Sequence, residues 1–430
     1  MELRSKILDR SARVGVVGLG YVGLPLAVEF ARAGFTVTGI DLDQSKVARV
    51  NGGDSYIGDI PSSVLGPLVA SGKLSATTDF SVISSLDTVN ICVPTPLRKT
   101  KDPDMSFIVA ASEQIAKHIH AGMLVIFEST TYPGTTDEVV LPMLTQSGLH
   151  VGRDFFLCFS PERVDPGNRK YQTANIPKVV GGVTAECTEH GRMLYAQAIE
   201  TVVPVSSTQV AEMVKLLENT FRMINIGLVN EIAMMCDRIG VNVWEVIDAA
   251  ATKPFGYMPF FPGPGLGGHC IPIDPFYLSW KTKQAGIEAR FIELAGYING
   301  QMPHFVVDKI QNALNDAGKP VKGSRIHILG VAYKKDIDDV RESPALDIML
   351  LLRKRGGLLS FSDSHVQNLK LDGETLRSAA LEDGVSDADC VVIVTDHSSV
   401  DYRAVLDRAR LIVDTRNALR GMVSDKIVRL

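Results

Sequence analysis

An apolar strand, Val14-Gly15-Val16-Val17, runs directly into Gly18-Leu19-Gly20-Tyr21-Val22-Gly23 and then into a helical stretch through Leu26-Ala27-Val28-Glu29-Phe30. No other feature of the 430-residue chain restricts its fold so tightly. The glycines permit a sharp strand-to-helix turn and let a pyrophosphate reach the backbone N–H groups at the helix start. The next strand, Val37-Thr38-Gly39-Ile40, ends at Asp41, about twenty residues on, where a carboxylate accepts hydrogen bonds from ribose hydroxyls. Glycines that serve only the turn are the plainer alternative, and the strand, helix and acid together outweigh it. The pattern predicts a dinucleotide site of Gly18, Gly20, Tyr21, Val22, Gly23 and Asp41. Asp41 would repel a 2′-phosphate, so NAD is expected rather than NADP.

The rest of the first segment keeps the same alternation. Arg13 to Val17, Thr36 to Ile40, Thr88 to Val93, Leu124 to Glu128 and Phe155 to Phe159 read as strands separated by helices, which predicts a parallel doubly wound sheet. From Thr208 to Arg238 apolar residues recur at Val210, Val214, Leu217, Phe221, Ile224, Leu228, Ile232 and Met235. That period near 3.6 predicts one long helix, stopped by Gly240. Strand signals return at Arg325 to Gly330, Leu358 to Phe361, Cys390 to Val394 and Leu411 to Asp414. The expected fold class is α/β in three parts: residues 1–206 an N-terminal Rossmann domain, 207–304 a central helical domain, and 305–430 a smaller Rossmann-like domain.

Composition narrows the partners. Charged residues make up 22% and the net charge is -5, which gives no reason to expect a nucleic acid or an anionic membrane. No run approaches the ~18 apolar residues of a membrane span, and the chain opens without a signal-peptide core; the expected location is cytoplasmic. Six cysteines without a Cys-x-x-Cys pair argue against a disulfide framework and a structural zinc, and no ligand set with metal spacing stands out.

Five of the cysteines lie in strand-like or helical runs and read as small apolar residues. Cys270 does not. It sits in Gly265-Leu266-Gly267-Gly268-His269-Cys270-Ile271-Pro272-Ile273-Asp274, where backbone can approach a substrate closely. A nucleophilic thiol in a chain with a nicotinamide fingerprint suggests oxidation through a covalent sulfur adduct. Asp274 follows closely enough to share its pocket. Lys215 and Asn219 lie four apart on the long helix, on one face away from the apolar stripe; the lysine could hold negative charge developing on oxygen and the amide could fix a hydroxyl. A solvated face with Lys215 paired to Glu212 or Glu218 is the plainer alternative. Glu162, after another strand end, could act as a base, or be an exposed glutamate at a turn.

Two further loops at strand ends, Val93-Pro94-Thr95-Pro96 and Glu128-Ser129-Thr130-Thr131, carry hydroxyls that could orient nicotinamide or substrate, or could simply make turns. Phe260-Phe261 offers aromatic faces to a nucleobase, and Lys334 through Arg341 brings positive charge after a strand, suited to a diphosphate. A rigid packed loop and a solvated charge run are the corresponding plain readings.

As an ordered set these motifs resemble the nucleotide-sugar 6-dehydrogenases, the family of UDP-glucose and GDP-mannose dehydrogenases, over essentially the whole chain. The resemblance implies four-electron oxidation of the C6 alcohol of a nucleotide-linked hexose to a carboxylate, with two NAD and one thioester. Cys270 would be the nucleophile and Lys215 the oxyanion stabiliser. Asp274 and Thr130 would order a water, and Glu162 would serve as a base. Asn219 and Lys334 would hold the sugar, with Glu162, Arg163, Phe260, Phe261 and Gly267 completing the substrate site. Thr95, Thr130 and Arg341 would contact the cofactor. The resemblance also implies a homodimer or higher homo-oligomer built on the long helix. Where the UDP-glucose branch has Gly-Gly-Ser-Cys-Phe-x-Lys-Asp, this chain has Gly267-Gly268-His269-Cys270-Ile271-Pro272-Ile273-Asp274, without the lysine. That loop resembles the branch acting on UDP-N-acetylhexosamines for surface polysaccharides, and UDP-N-acetylglucosamine is the expected substrate. UDP-N-acetylmannosamine, UDP-glucose and UDP-galactosamine derivatives stay open, as do a single-step dehydrogenase and a non-catalytic nucleotide-sugar sensor.

Overall fold

Eight short strands assemble in the N-terminal half: β1 Arg13–Val17, β2 Thr36–Ile40, β3 Leu74–Thr77, β4 Thr88–Ile91, β5 Leu124–Phe127, β6 Phe156–Phe159, β7 Lys178–Gly182 and β8 Val202–Val205. In this computed structural model, which describes residues 2–97, 102–165, 167–168 and 170–430, their order is β3-β2-β1-β4-β5-β6-β7-β8. The reversal beside β1 is the topological switch point of a doubly wound sheet, with the glycine-rich turn at its carboxyl edge. β4 and β5 are buried throughout, as expected of strands covered on both faces.

The predicted parallel sheet is interrupted once, because β7 pairs antiparallel with β6. Cys158 faces Gly182 and Phe159 faces Gly181 in that pair. Continuing the register brings Lys178, the first residue of β7, level with Glu162 just beyond β6. The reversal therefore delivers the start of one strand to the edge where its neighbours end.

The chain separates into two compact units, Met1–Glu218 with Trp280–Ile287, and Asn219–Ser279 with Glu288–Leu430. The central segment is thus shared out between them. In the second unit β9 Arg325–Leu329, β10 Leu358–Ser362, β13 Cys390–Ile393, β14 Ile412–Asp414 and β15 Ile427–Arg429 form a sheet in the order β10-β9-β13-β14-β15, and all its pairings are parallel. A separate hairpin joins β11 Asn368–Leu371 to β12 Glu374–Arg377.

The long helix spans Thr208–Ile239 and ends at Gly240, whose φ of 73° is the left-handed conformation that favours glycine. It is apolar on more than one face: Ala211, Leu216, Met223, Val229, Ala233 and Cys236 are buried together with Glu212, Lys215 and Asn219, while Val210, Leu217, Phe221, Leu228 and Met235 are exposed. Among the described residues no helix is long and apolar enough to cross a membrane.

Candidate active site

In the first unit, the turn after β1 is built around its glycines. Gly18 has φ 91°, and a Cβ there would meet the Cys92 carbonyl oxygen at 2.5 Å. A Cβ on Gly23 would strike the Gly18 oxygen, whereas one on Gly20 would meet nothing within 4 Å. Two glycines therefore close the turn and the third leaves space beside it, as a pyrophosphate approach requires. Asp41 directly follows β2, and its Oδ2 accepts the Leu19 N–H at 2.8 Å while Oδ1 accepts that of Asp43 at 2.9 Å. Lys46 lies 3.4 Å from Oδ2. Tyr21 is exposed, while Val22 is half-buried and packs against the core. Thr95 and Ser129 are buried and Thr130 half-buried in the loops after β4 and β5, at the same carboxyl edge as the turn. The residues fit a dinucleotide.

Beside that edge lies a buried ionic network. Lys178 Nζ donates to Glu128 Oε2 at 2.6 Å and to Glu162 Oε2 at 2.8 Å. Glu128 Oε1 accepts from Tyr195 Oη and Asn90 Nδ2, each at 2.7 Å, and Glu162 Oε1 accepts the backbone N–H groups of Arg163 and Val164, also at 2.7 Å. Burial alone would raise the Glu162 carboxyl, but the Lys178 ammonium and the Val164 N–H outweigh it and hold it below the usual carboxylate range. Burial would likewise lower Lys178, and its two carboxylate partners raise it instead.

Lys215 is 8% exposed and donates from Nζ to the main-chain oxygen of Glu162 at 2.7 Å. It pairs with neither Glu212 nor Glu218, so the solvated-face alternative does not describe it. Arg163 takes Glu218 instead, at 2.6 Å, and also donates to the Pro177 carbonyl. The sequence reading did not find Lys178 or Glu128, because a buried lysine carries no periodic signal; the one available clue was a lone charge opening an apolar run, Lys178-Val179-Val180.

In the second unit the cysteine loop is flattened by its glycines. A Cβ on Gly267 would come within 2.7 Å of Tyr333 Cβ, and Gly268, at φ 93°, would bring one within 2.8 Å of the Tyr333 ring. Only a chain without side chains lies this close to Tyr333, and Gly268 N–H is anchored on the Arg341 carbonyl. Cys270 is half-buried, in contrast to the five other cysteines, which are buried. Its carbonyl accepts the N–H groups of Ile273 and Asp274, a turn that leads into the helix Asp274–Gln284. Asp274 is 3% exposed, and its Oδ2 accepts from Asn219 Nδ2 at 2.6 Å. Asp274 thus ties the cysteine loop, through its N–H, to Asn219, through its side chain.

Phe260 meets Phe221 edge-on and Phe261 stacks on Trp244, so both rings have packing partners in the unit. Lys334 is half-buried. Arg341 forks onto Asp339 at 2.9 and 2.6 Å. Arg416, in Asp414-Thr415-Arg416, is anchored on the Val394 carbonyl, and a Cβ on Gly263 would meet its guanidinium at 2.5 Å. Asp336, His365 and His397 gather three ligand atoms within 4.8 Å. However, His397 Nε2 is 3.0 Å from Asp363 Oδ2 and its Nδ1 accepts the Asp336 N–H, so that ring ties strand-end loops together with both nitrogens.

A glycine turn that fits a dinucleotide, a buried lysine near the edge of that sheet, a second parallel sheet and a half-buried cysteine on a glycine-rich loop are the features of a nicotinamide-nucleotide dehydrogenase. Comparison with known proteins narrows that class. The family models of the UDP-glucose/GDP-mannose dehydrogenases match in all three parts: the NAD-binding domain at residues 12–199, the central domain at 209–301 and the UDP-binding domain at 327–421. The chain belongs to this family, and like its members it is an enzyme that uses NAD. It is 35% identical over 416 residues to a UDP-N-acetyl-D-mannosamine dehydrogenase of Pyrococcus horikoshii, covering 95% of this chain and 96% of that one. It is 38% identical over 342 residues to a UDP-N-acetyl-D-glucosamine 6-dehydrogenase of Pseudomonas aeruginosa, covering 79% and 80%. The solved structure of the P. horikoshii UDP-D-ManNAc dehydrogenase superposes with a TM-score of 0.89 at 34% identity, covering 97% of this chain and 98% of that one.

Proposed function

We propose that this enzyme oxidises the C6 alcohol of UDP-N-acetylglucosamine to the uronic acid by way of a thiohemiacetal and a thioester on Cys270. The observation that carries the reading is the half-buried Cys270 on a glycine-flattened loop, one turn from the buried Asp274–Asn219 pair. NAD, when bound, accepts the hydride in each of the two oxidations. The chain's own residues do the rest. Lys215 stabilises the oxygen that turns anionic as the alcohol and then the thiohemiacetal lose their protons. The Cys270 thiolate adds to the aldehyde carbon, forming a C–S bond that persists through the second oxidation. Water then cleaves that bond, returning the thiolate and releasing the carboxylate, so one alcohol, one water and two NAD+ give one carboxylate, two NADH and three protons. The family resemblance gives Asp274, anchored by Asn219, and Thr130 the ordering of that water, gives Arg163, Lys334, Phe260, Phe261 and Gly267 the sugar nucleotide, and gives Arg341 a contact with the cofactor.

The C2 epimer, UDP-N-acetylmannosamine, is a second reading, favoured by the P. horikoshii relative whose match covers 95% of this chain. We place the reaction in the cytoplasm, in surface-polysaccharide synthesis, and in a homodimer. The test is NADH formed per limiting UDP-N-acetylglucosamine, with UDP-N-acetylmannosamine and UDP-glucose run alongside and the products weighed. Two NADH and a uronic acid are expected; one NADH and an aldehyde would replace the reading with a single-step dehydrogenase. Cys270→Ser should abolish acid release while leaving sugar-nucleotide binding intact, and full acid output from that variant would remove the covalent mechanism.

A further inference from the structure

The Ser160-Pro161-Glu162 turn is held from beneath by a buried cluster. Both oxygens of Glu162 are turned onto fixed donors, Oε1 onto two backbone N–H groups and Oε2 onto Lys178. Lys178 is in turn held by Glu128, and Glu128 by Tyr195 and Asn90. What the turn offers to Lys215 is the main-chain carbonyl of residue 162. Two carboxylates and two ammoniums balance in charge, so each member keeps the others in place.

We infer that Lys178 and Glu128 are positioning residues for Lys215: they grip the Glu162 side chain, thereby fix the 162 carbonyl, and that carbonyl aims the ammonium. The inference rests on the proposed role of Lys215 as oxyanion stabiliser. It also gives the antiparallel β7 a purpose, since only that reversal brings a lysine from the start of a strand to this edge.

The charge-balanced double variant Lys178→Met/Glu128→Gln tests it, because neither residue is exposed enough to touch substrate. With Lys215 loosened by about an ångström, kcat should fall by about 100-fold while KM for the UDP-sugar stays within about threefold. Independently, acetylation of Lys215 by acetic anhydride on the folded protein, read by peptide mass spectrometry, should accelerate about tenfold relative to surface lysines. A folded double variant with wild-type kcat and unchanged Lys215 acetylation overturns the inference. If wild-type enzyme oxidises no UDP-sugar, the functional reading fails, and the acetylation arm still decides the coupling. Should the double variant not fold, Tyr195→Phe, which removes one donor to Glu128, should move both readouts in the same direction by about threefold; movement in neither would also overturn it.

Discussion

Glu212, three residues before Lys215 on the same helix, shows how one carboxyl can set a pH dependence. It is 1% exposed; Oε2 accepts the Gly134 N–H at 2.6 Å, and Oε1 accepts the N–H and hydroxyl of Thr136 at 2.9 and 2.7 Å. Burial raises its pKa from 4.5 to about 7, against the pull of those donors. A folded-state value above the unfolded one means that the native protein holds more protons between the two. Stability must therefore fall as pH rises from about 4.5 to about 7, by about 3 kcal/mol if this group acts alone. Glu212→Gln has no proton to lose. Its Tm should thus gain on that of the wild type across pH 5 to 7 and run parallel above, measured by calorimetry in matched buffers. A constant difference across that range would mean that Glu212 stays ionised throughout, with its three donors outweighing burial.

The strand–turn–helix unit gives a prediction of a different kind, because its glycines do different jobs. Gly18→Ala puts a side chain at φ 91° against the Cys92 carbonyl, and should cost about 2 kcal/mol or more of stability. Gly20→Val enters open space, so its Tm should stay near that of the wild type while NADH affinity, followed by fluorescence titration, drops at least about tenfold. Equal affinities would remove Gly20 from the cofactor site. These elements were legible in the sequence because the glycine spacing and the apolar runs are local signals. The strands β3, β7 and β8 were not: β7 opens on Lys178 and closes on Gly181-Gly182, and β8 contains Pro204, so each resembles a loop. The long helix was found almost to the residue, but the environment of its faces was not. Period 3.6 reports a stripe, not what covers it: the stripe read from Val210 to Met235 is the exposed one, and Lys215 and Asn219 are buried with Leu216 and Met223. Cys270 and Asp274 could be read from their loop, whereas the network around Lys178 depends on a strand reversal that no local pattern encodes.

At the scale of the molecule, the exposed apolar stripe of the long helix is the strongest argument about assembly. Val210, Leu217, Phe221, Leu228 and Met235 are 42, 61, 46, 54 and 51% exposed, at spacings of seven, four, seven and seven residues, the seam of a helix that packs on another helix. The helix Arg290–Asp316 adds Phe291, Leu294 and Tyr297, each more than half exposed, and lies close to the long helix, since a Cβ on Gly227 would come within 3.1 Å of Ala295 Cβ. A monomer seldom leaves a continuous apolar stripe of this length in water. A two-fold axis across the stripe would bury it twice with one set of residues, which is the homodimer proposed above. Phe221→Lys/Leu228→Lys should then shift the sedimentation coefficient from dimer to monomer at micromolar concentration. Cys270 and the glycine turn are untouched by these changes, so NADH binding should persist in the monomer. A wild-type chain that sediments as a monomer at the same concentration would instead leave the stripe to some other partner, and would make the two substitutions silent in sedimentation.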